Sequence, residues 1–488
     1  MMLLNDLFRT DDVPPGLVVS GVSEDSRRIR EGDLFCALTG ENFDGRAHID
    51  DAVRQGAVAV VCEPPAVTAS VPVIALENLP GRLGSLASAV YGEPSSATRV
   101  VAVTGTNGKT SFTHLLAQAL AADGSKAGVV GTMGHGVPGD LREPGLTTPA
   151  PTDLQRRIRE LVDEDCAAVV LEASSHGLVQ GRLAGVSIDT AVFTNLSHDH
   201  LDYHATLNAY RDAKAILFEF GSLRQAVINR DDDAFEMLAS RLHGSVRLVS
   251  YSRQDAAADV YCHEVETAAE GLRLSIHVGG HQVQCDLSLY GLFNVENVLA
   301  VVATLLAMDV SADRIESALQ ALTPVTGRMD VVTRTGMPAV FVDYAHTPDA
   351  LEKCLTAARQ HFPSRHLVCV FGCGGDRDRA KRTMMGQIAS SLADRVVVTS
   401  DNPRSEPPGA IIEEILAGVT TADVVVREDR QQGIEAAIAA AHADDVVIVA
   451  GKGHEDYQEL ASGKVPFSDY AVIDAALTRW NERHGRED

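Results

Sequence analysis

The sequence predicts an α/β protein of three domains, with a central P-loop domain built on a parallel sheet, an N-terminal α/β domain and a C-terminal doubly wound, Rossmann-like domain. The chain has 488 residues, which is too long for one hydrophobic core, because domains usually contain about 100 to 200 residues. Apolar strand-like runs alternate with helical patterns, as in parallel sheets covered by helices. A glycine-rich loop follows directly after the apolar run 100–103.

Residues 1–98 are predicted to form the N-terminal domain. Short strands are indicated at 57–62 and 71–76, and a helix at 83–91. The segment 92–96, Gly-Glu-Pro-Ser-Ser, breaks the helical pattern because glycine and proline both disfavour helix continuation. We therefore place a domain boundary at residue 98.

Residues 99–326 are predicted to form the central domain. Strands are expected at 100–103, 127–130, 167–171, 190–194 and 226–228, and helices at 111–122, 152–163 and 295–307. A more antiparallel excursion is expected around 246–287. The Pro- and Gly-containing turn 323–327 ends the domain.

Residues 327–488 are predicted to form the C-terminal domain. Strands are expected at 339–342, 366–371, 395–399, 424–426 and 446–450, with helices between them. This alternation is typical of a doubly wound sheet, in which ligands bind at the carboxyl ends of the strands.

The formal net charge of -25 disfavours general binding to nucleic acid or to a membrane surface. It does not exclude small anionic substrates, because a local cationic cluster suffices to bind them. Such a cluster is expected at Arg377, Arg379, Lys381 and Arg382.

The eight cysteines are scattered through apolar runs, and we interpret them as reduced core residues. Cys369 and Cys373 are four residues apart, but no second Cys or His pair completes a zinc set. We expect no signal peptide, because the first residues lack the basic, apolar and small-residue pattern of one, and no apolar run reaches about 18 residues. We expect a cytoplasmic protein that contacts neither nucleic acid nor membrane.

The segment 104–110, Thr-Gly-Thr-Asn-Gly-Lys-Thr, indicates a phosphate-binding loop. Glycines allow the backbone to approach phosphate oxygens, the following helix directs its amides at them, and a lysine meets the β and γ phosphates. A hydroxyl after the lysine is suited to Mg²⁺. Val103 stands where the general motif has its first glycine, so the loop is a shorter variant. The alternative is an ordinary glycine-rich turn.

Glu172 follows the predicted strand 167–171 and begins the segment Glu-Ala-Ser-Ser-His-Gly. A carboxylate at a strand end beside a phosphate loop is placed to bind Mg²⁺, because this cation prefers oxygen ligands. A solvated strand end is the alternative.

Seven motifs, in order, resemble the Mur ligases of peptidoglycan synthesis over nearly the whole chain. They lie at 104–110, 172–178, 195–204, 210–214, 291–297, 327–330 and 343–348. The chain looks most like the members that extend UDP-N-acetylmuramoyl-L-alanyl-D-glutamate by a third amino acid. The resemblance implies that ATP phosphorylates the glutamate side-chain carboxylate and that an amine attacks the acyl phosphate. A monomer is expected.

The resemblance also implies roles for the residues around the phosphates. ATP would contact the loop residues and three further side chains, namely Gly105, Thr106, Asn107, Gly108, Lys109, Thr110, Asn294, Arg328 and Asp343. Two Mg²⁺ ions would lie among Thr110, Glu172, His198 and Lys214, the last as a CO₂-derived carbamate. Lys109, Lys214 and His198 would be the catalytic residues. Otherwise Lys214 is a surface lysine, Asn294 a helix cap and Asp343 a turn residue.

The UDP-sugar dipeptide would contact residues of the first two domains. They are Glu24, Ser26, Thr147, Thr148, Ser174, Gln180 and Arg182. Hydroxyl, amide and guanidinium groups suit pyrophosphate and peptide oxygens. The segment 41–43, Glu-Asn-Phe, aligns with the uridine side of the family's site.

The incoming amine is expected to be meso-diaminopimelate. In the family an arginine at the position of Arg404 goes with this substrate, whose distal carboxylate lysine lacks, and a guanidinium binds carboxylate bidentately. The set that would bind it is Arg377, Asp401, Asn402, Pro403, Arg404, Gly451 and Glu455. A plain Asn-Pro turn is the alternative.

Three other functions stay open at this point. A folylpolyglutamate synthase or a lysine-adding Mur ligase would differ mainly in the substrate segments. A regulatory P-loop NTPase would not need the segments 172–178, 210–214 and 401–404 together.

Overall fold

The structure is a computed structural model that describes residues 2–8, 13–40, 43–197, 199–420 and 423–484. The chain divides into two compact units. The first comprises Met1–Tyr261, His277–His281 and Asn297–Ala321, and the second comprises Cys262–Ile276, Gln282–Glu296 and Leu322–Asp488.

The first unit begins with a small parallel sheet of order β3-β4-β7-β8, whose inner strands are buried on both faces. The predicted strands 57–62 and 71–76 are confirmed in shortened form. The elements of this region are strands β1 (Met2–Leu3), β2 (Val18–Val19), β3 (Gly21–Ser23), β4 (Asp33–Ala37), β5 (Thr39–Gly40), β6 (Phe43–Asp44), β7 (Ala59–Cys62) and β8 (Val73–Ala75), and helices α1 (Leu4–Phe8), α2 (Ile49–Gln55) and α3 (Leu79–Val90).

A larger sheet follows along the chain. Its elements are strands β9 (Arg99–Thr104), β10 (Ala127–Gly131), β11 (Gly134–Val137), β12 (Asp140–Arg142), β13 (Ala168–Glu172), β14 (Thr190–Phe193), β15 (Gln225–Asn229), β16 (Arg247–Ser252), β17 (Val260–Ala268), β18 (Gly271–Val278) and β19 (His281–Leu287), and helices α4 (Lys109–Ala122), α5 (Pro151–Asp163), α6 (Ser175–Val179), α7 (Leu201–His204), α8 (Leu207–Ala215), α9 (Phe235–Ser240), α10 (Leu292–Ala307) and α11 (Ala312–Leu319).

Strands β10, β13, β9, β14, β15 and β16 are neighbours in that order, and all of these pairs are parallel. The predicted parallel sheet is thus confirmed, and β9 lies inside it with buried side chains from Val100 onward. The antiparallel excursion expected from residue 246 is wrong for β16, which pairs in parallel with β15. Within that region β17, β18 and β19 are joined by two-residue turns, which permit antiparallel pairing alone.

The last sheet lies in the second unit and has the order β20-β21-β25-β22-β23-β24. The elements of this region are strands β20 (Asp330–Val332), β21 (Ala339–Asp343), β22 (Leu367–Phe371), β23 (Arg395–Val398), β24 (Val424–Val426) and β25 (Val446–Ala450), the separate antiparallel hairpin of β26 (Tyr457–Leu460) and β27 (Gly463–Pro466), and helices α12 (Pro348–His361), α13 (Ala380–Leu392), α14 (Pro408–Leu416), α15 (Arg430–Ala440) and α16 (Asp469–His484).

This sheet is doubly wound, as predicted. Strands β21, β25, β22, β23 and β24 are parallel, and only the edge strand β20 is antiparallel. Leu351, Met385 and Ile411 of α12–α14 belong to the core on one face, and Ile434 and Leu477 of α15 and α16 belong to the core on the other. Because the strands are parallel, the loops after β21, β22, β23 and β25 leave from one edge of the sheet.

All eight cysteines are free, and all except the partly exposed Cys262 are buried. Burial raises the pKa of the Cys369 and Cys373 thiols to about 12, so both stay protonated at neutral pH. The interpretation as reduced core residues is therefore confirmed for seven of the eight cysteines. Within the described ranges no helix has the length and apolar character that a membrane span requires.

Candidate active site

The phosphate loop connects β9 to α4 in the order that the sequence predicts. Gly105 and Gly108 have positive φ angles of 152° and 86°. A Cβ at Gly105 would collide with the Thr194 side chain, and one at Gly108 would collide with Asn297. Glycine is required at both positions because neither the backbone conformation nor the space tolerates a side chain.

Contacts to the end of β14 hold the loop in place. Thr106 N donates to Asn195 O at 2.8 Å, Asn107 N donates to Asn195 Oδ1 at 3.0 Å, and Thr194 Oγ1 donates to Asn107 O at 2.7 Å. Lys109 Nζ donates to Gly105 O at 2.7 Å and to Thr106 O at 2.8 Å. The lysine ammonium thus lies over its own loop, where β and γ phosphate oxygens bind in P-loop proteins.

Glu172 ends β13, the parallel neighbour of β9, and only 2% of it is exposed. Its Oε1 accepts hydrogen bonds from Thr110 Oγ1 at 3.0 Å and from Thr132 N at 3.0 Å. Thr132 Oγ1 also lies 3.2 Å from Oε2. A carboxylate beside a hydroxyl is a set of hard oxygen donors that fits Mg²⁺. Sequence reasoning missed Thr132, which no motif marks.

The other predicted metal ligands are His198 and Lys214, and the structure describes only Lys214. His198 lies outside the described residues, and among those that are described no three His, Cys, Asp or Glu side chains gather into a metal cluster. Thr110 and Glu172 are brought together, as the previous contacts show. Whether Lys214 can belong to this set depends on its burial and on the charges around it.

Lys214 is not a surface lysine, because only 1% of it is exposed in α8. Its Nζ lies 4.1 Å from the centroid of the Tyr210 ring. Burial and, second, the positive charge of Lys109 lower the pKa of the Lys214 ammonium well below its usual value, although Asp199 and Asp232 partly oppose this shift. A neutral amine is the form that reacts with CO₂.

Four residues of the predicted dipeptide set form one hydrogen-bonded group. Thr148 Oγ1 lies 3.0 Å from Ser174 Oγ and donates to Glu172 O at 2.8 Å. Arg182 Nη1 donates to Thr148 O at 2.8 Å, and its Nε donates to Gln180 Oε1 at 3.0 Å. Thr147 is linked to Thr132 by hydroxyl groups 3.0 Å apart. Ser174 also caps α6 by accepting from Gly177 N at 3.1 Å, so it has a structural role as well.

The N-terminal members of the set lie in a short 3-10 helix and in the bend that connects it to β3. Ser26 begins the helix Ser26–Arg28, which Asp25 caps. The Glu24 carboxyl group is hydrogen-bonded to Thr152 Oγ1, and burial raises its pKa. Both Glu24 and Thr152 line a cleft of about 1040 Å³. Of the proposed uridine segment, residues 41 and 42 lie outside the described residues, and Phe43 is exposed.

The other predicted nucleotide contacts lie in the second unit. The Arg328 guanidinium stacks over the Tyr344 ring at 4.5 Å, and Asn294 Nδ2 donates to Tyr290 O at 2.8 Å. The Asp343 carboxylate accepts from Met329 N and Ala345 N, both at 2.7 Å. Burial raises the pKa of Asp343, and Arg328 opposes the shift. Asp343 therefore accepts the backbone hydrogen bonds expected of a turn residue, which was the alternative interpretation. The positive charge of Arg328 also acts on its carboxylate.

The residues predicted to bind the amine gather at the carboxyl edge of the last sheet, and we call them the DNPR cluster: Asp401, Asn402, Pro403, Arg404, Gly451 and Glu455. Asn402 Nδ2 donates to Glu455 Oε2 at 2.9 Å, which joins the loop after β23 to the loop after β25. Pro403 O lies against Gly375, where any Cβ would collide with it.

Arg404 is held from two sides. Its Nε donates to Glu459 Oε2 at 3.0 Å, and its Nη1 donates to Gly375 O at 2.8 Å. Its backbone has a positive φ of 52°, and its N donates to Glu459 O at 3.0 Å. Its Nη2 makes no hydrogen bond to any described residue. The guanidinium is therefore oriented and still has a free donor. Glu459 lies on the hairpin β26–β27, which the sequence did not predict.

A buried ion pair lies beneath the DNPR cluster. Arg430 donates to Asp469 Oδ1 at 2.8 Å and Oδ2 at 2.7 Å, and neither side chain is exposed. Arg430 also donates to Ser400 O at 3.3 Å and to Ala450 O at 3.1 Å. Ala450 ends β25 and Ser400 follows β23 by two residues, so one guanidinium ties together the two loops that form the cluster. Neither Arg430 nor Asp469 was recognised from the sequence.

The cationic cluster expected at 377–382 is wrong in two of its members. Arg382 is fully buried and pairs with Glu406 at 2.8 Å and with Glu414 at 2.9 Å, and Arg379 also pairs with Glu414. The Arg382 guanidinium lowers the pKa of Glu406 to about 2. Arg377 is exposed, with Cγ 3.9 Å from the Cβ position of Gly374. Of the four, Arg377 and Lys381 are not committed to carboxylates.

Comparisons with known proteins agree with this geometry. Three family profiles match the chain: "Mur ligase family, catalytic domain" over residues 18–91, "Mur ligase middle domain" over residues 103–305, and "Mur ligase, glutamate ligase domain" over residues 327–453. The chain belongs to the Mur ligase family. This Mur ligase is 47% identical to a UDP-N-acetylmuramoyl-L-alanyl-D-glutamate–2,6-diaminopimelate ligase of Ectopseudomonas mendocina, with 99% of each chain covered.

Further relatives carry the same name. The enzyme of Pseudomonas aeruginosa is 45% identical over 99% of both chains, and that of Coxiella burnetii is 40% identical over 94% of this chain and 96% of the relative. A solved structure of a ligase of this name is 34% identical, with a TM-score of 0.71 over 99% of this Mur ligase and 100% of that chain.

A MurF ligase of Thermotoga maritima in complex with ADP shares the fold with this Mur ligase. Its TM-score is 0.68 at 20% identity, over 96% of this chain and 100% of that one. The three-domain Mur ligase architecture predicted from the sequence is thereby confirmed.

Proposed function

We propose that this protein is an ATP-dependent, ADP-forming ligase that adds meso-2,6-diaminopimelate to UDP-N-acetylmuramoyl-L-alanyl-D-glutamate in peptidoglycan synthesis, and thereby serves cell shape and division. The observation that carries the proposal is the oriented Arg404 guanidinium, held by Glu459 and Gly375 O. The full-length similarity to diaminopimelate ligases supports it. The contacts of Lys109 and Thr110 around the phosphate loop support the ATP-dependent half of the reaction.

In the first step a carboxylate oxygen of the glutamate side chain attacks the γ phosphorus of ATP, and the bond from that phosphorus to the β–γ bridging oxygen breaks. ADP leaves and an acyl phosphate forms. The glycine-rich loop would present its amides to the phosphates, and Lys109 would move from the carbonyls of Gly105 and Thr106 to the transferred phosphoryl oxygens. Thr148 and Arg182 would orient the dipeptide.

In the second step an amine nitrogen of diaminopimelate attacks the acyl carbon. The bond from carbon to the phosphate oxygen then breaks, inorganic phosphate leaves, and the nitrogen loses its proton as the amide forms. Water must be kept away because it would hydrolyse the acyl phosphate. Glu455 would bind a substrate ammonium group, and Arg404 the distal carboxylate.

The metal would be held by Thr110 and Glu172, with His198 and a Lys214 carbamate as the remaining ligands of two Mg²⁺ ions. When bound, Mg²⁺ supplies positive charge that stabilises phosphoryl transfer. The burial of Lys214 and the lowered pKa of its ammonium support the carbamate, because CO₂ adds to an unprotonated amine. Asn294, Arg328 and Asp343 would complete the ATP site.

Arg404 would distinguish diaminopimelate from L-lysine. Lysine lacks the distal carboxylate and would leave the guanidinium without its anionic partner, a mismatch that can discriminate by about 10⁴-fold. Arg377, which is exposed on the loop after β22, would assist at the same carboxylate.

We also infer a cytoplasmic monomer, because ATP and a nucleotide-linked sugar are cytoplasmic substrates and one chain contains all proposed ligands. Within it we propose domain boundaries at residues 98 and 326, with the UDP-sugar on the N-terminal domain, ATP on the central domain and the amine on the C-terminal domain.

The test is phosphate release from ATP with UDP-N-acetylmuramoyl-L-alanyl-D-glutamate and either meso-diaminopimelate or L-lysine. We expect rapid release with diaminopimelate and product of the corresponding mass. Release with lysine alone would indicate a lysine-adding ligase. Phosphate release with a folyl glutamate substrate would indicate a folylpolyglutamate synthase. No phosphate release with any of these substrates would contradict the proposal.

The carbamate has a test that does not depend on activity. In ¹³C-bicarbonate, NMR should show a carbamate signal that is lost in Lys214→Ala and kept in Lys126→Ala, a change at an exposed lysine. The signal should grow as pH rises, because deprotonation supplies the reactive amine. A free lysine has a pKa near 10.4, so well under one per cent is neutral at pH 7. A spectrum unchanged by Lys214→Ala would exclude the carbamate.

A further inference from the structure

Lys452 is a buried cation to which the proposed mechanism gives no part. It lies in the segment Gly-Lys-Gly-His-Glu at 451–455, and none of its side chain is exposed. Its Nζ lies 2.8 Å from Glu455 Oε2 and 3.0 Å from Asn402 Oδ1. A buried ammonium is costly unless its charge and donors are matched, and here a carboxylate and an amide oxygen match them.

Both partners of Lys452 belong to the DNPR cluster. Asn402 Nδ2 donates to the same Glu455 oxygen at 2.9 Å, so Lys452, Asn402 and Glu455 form a closed triangle of hydrogen bonds. Asn402 Oδ1 also accepts from Glu459 N at 2.9 Å. Because Glu459 holds Arg404, the triangle connects both ends of the cluster.

The triangle leaves half of the Glu455 carboxylate available. Both donors reach Oε2, while no described residue donates a hydrogen bond to Oε1. The Glu455 side chain is 15% exposed, whereas Lys452 is fully enclosed. Lys452 therefore holds Glu455 Oε2 by a hydrogen bond and compensates the charge of the carboxylate. Glu455 Oε1 remains a good hydrogen-bond acceptor in a fixed orientation.

We propose that Lys452 is a positioning residue for the amine substrate, which holds Glu455 so that Oε1 receives an ammonium group of the incoming amino acid. The inference rests on the proposed function and names a residue that acts through Glu455. Without the Lys452 ammonium, Glu455 would lose one of its two fixed donors and be free to rotate toward solvent.

The test compares Lys452→Met, which keeps the length of the side chain and removes its charge, with the matched control Lys464→Met. Lys464 is an exposed lysine on the adjoining hairpin, 3.7 Å from the centroid of the Tyr457 ring. We expect Lys452→Met to raise the KM for diaminopimelate about ten- to a hundredfold, in line with the loss of a charge-assisted hydrogen bond. The KM for ATP should stay within about twofold, and Lys464→Met should change neither constant.

A double-mutant cycle with Glu455→Gln separates positioning from a general structural role. If Lys452 acts through Glu455, Lys452→Met should raise the KM for diaminopimelate by less than about threefold in the Glu455→Gln background. An equal rise in both backgrounds would overturn the inference, as would a parallel rise in both KM values with a lower melting temperature. Should Lys452→Met not fold, Lys452→Gln replaces it with the same expectations.

The activity of the wild-type protein distinguishes a failure of this inference from a failure of the proposed function. Wild-type protein that releases no phosphate with diaminopimelate would contradict the proposed function. Wild-type protein that does so, together with a Lys452→Met variant of unchanged KM, would contradict only the role of Lys452.

Discussion

The phosphate loop and the DNPR cluster are assembled in different ways. The phosphate loop consists of residues 104–110, and its conformation is stabilised by hydrogen bonds to Thr194 and Asn195, which follow the neighbouring strand β14. The DNPR cluster lies on the loops after β23 and β25 and is held by contacts to the loop after β22 and to the hairpin β26–β27. A contiguous site can be recognised as a motif, whereas a distributed site depends on the sheet that brings its loops together.

Their cations also differ. Lys109 donates to the neutral carbonyls of Gly105 and Thr106 in its own loop and can leave them for phosphate at small cost. Lys452 and Arg430 are fully buried and paired with carboxylates, so they are fixed in place. The first region holds a cation that moves to its ligand, and the second uses cations that position other residues. Variants in the two regions should therefore fail in different ways.

The largest effect is expected for Lys109→Ala. Removing a charged donor to the transferred phosphoryl group should lower the rate of phosphate release about 10³-fold with any amine. Steady-state phosphate release measures it. The control Lys126→Ala removes an exposed lysine that donates to Glu164 O. A loss that appeared with diaminopimelate but not with another accepted amine would contradict the division between the regions.

A smaller and more selective effect is expected for Arg404→Ala. It should lower kcat/KM for diaminopimelate about 10²-fold through the lost bidentate contact, with the KM for ATP unchanged. Initial rates at varied concentrations of each substrate measure it. The control Arg427→Ala removes an exposed arginine whose Nη1 contacts Val426 O. Equal losses for both substrates would count against the assignment of Arg404 to the amine.

The smallest effect is expected for Asp469→Asn and concerns stability. Replacing the carboxylate under Arg430 by an amide should lower the free energy of unfolding by about 2 kcal/mol, because a charge-assisted pair is lost in a buried site. Urea denaturation measures it. Asp286→Asn removes an exposed partner of Arg273 and should cost less than about 0.5 kcal/mol. Equal shifts would mean that burial does not strengthen the Arg430 pair.

The sequence predicted the sheets and the contiguous motifs well, and its errors have physical causes. Strand β16 was assigned to an antiparallel region because its alternating pattern does not reveal its partner, which is the parallel strand β15. Arg382 looked like a substrate-binding cation because a sequence shows a charge but not the carboxylates of Glu406 and Glu414 around it. Without its motif Lys214 would be taken for a surface lysine, because lysines in helices are usually exposed, but the fold buries it.

The sequence by itself determined the alternation of the main parallel strands with helices, the glycine positions of the phosphate loop, and the family. These depend on local rules, since hydrophobic periodicity and backbone conformation act over a few residues. Only the tertiary structure decided that Thr132 contacts Glu172, that Glu459 orients Arg404, and that Lys452 lies under Glu455. Such contacts join residues distant along the chain or set by loop conformation, and burial gives their charges a strength that composition cannot reveal.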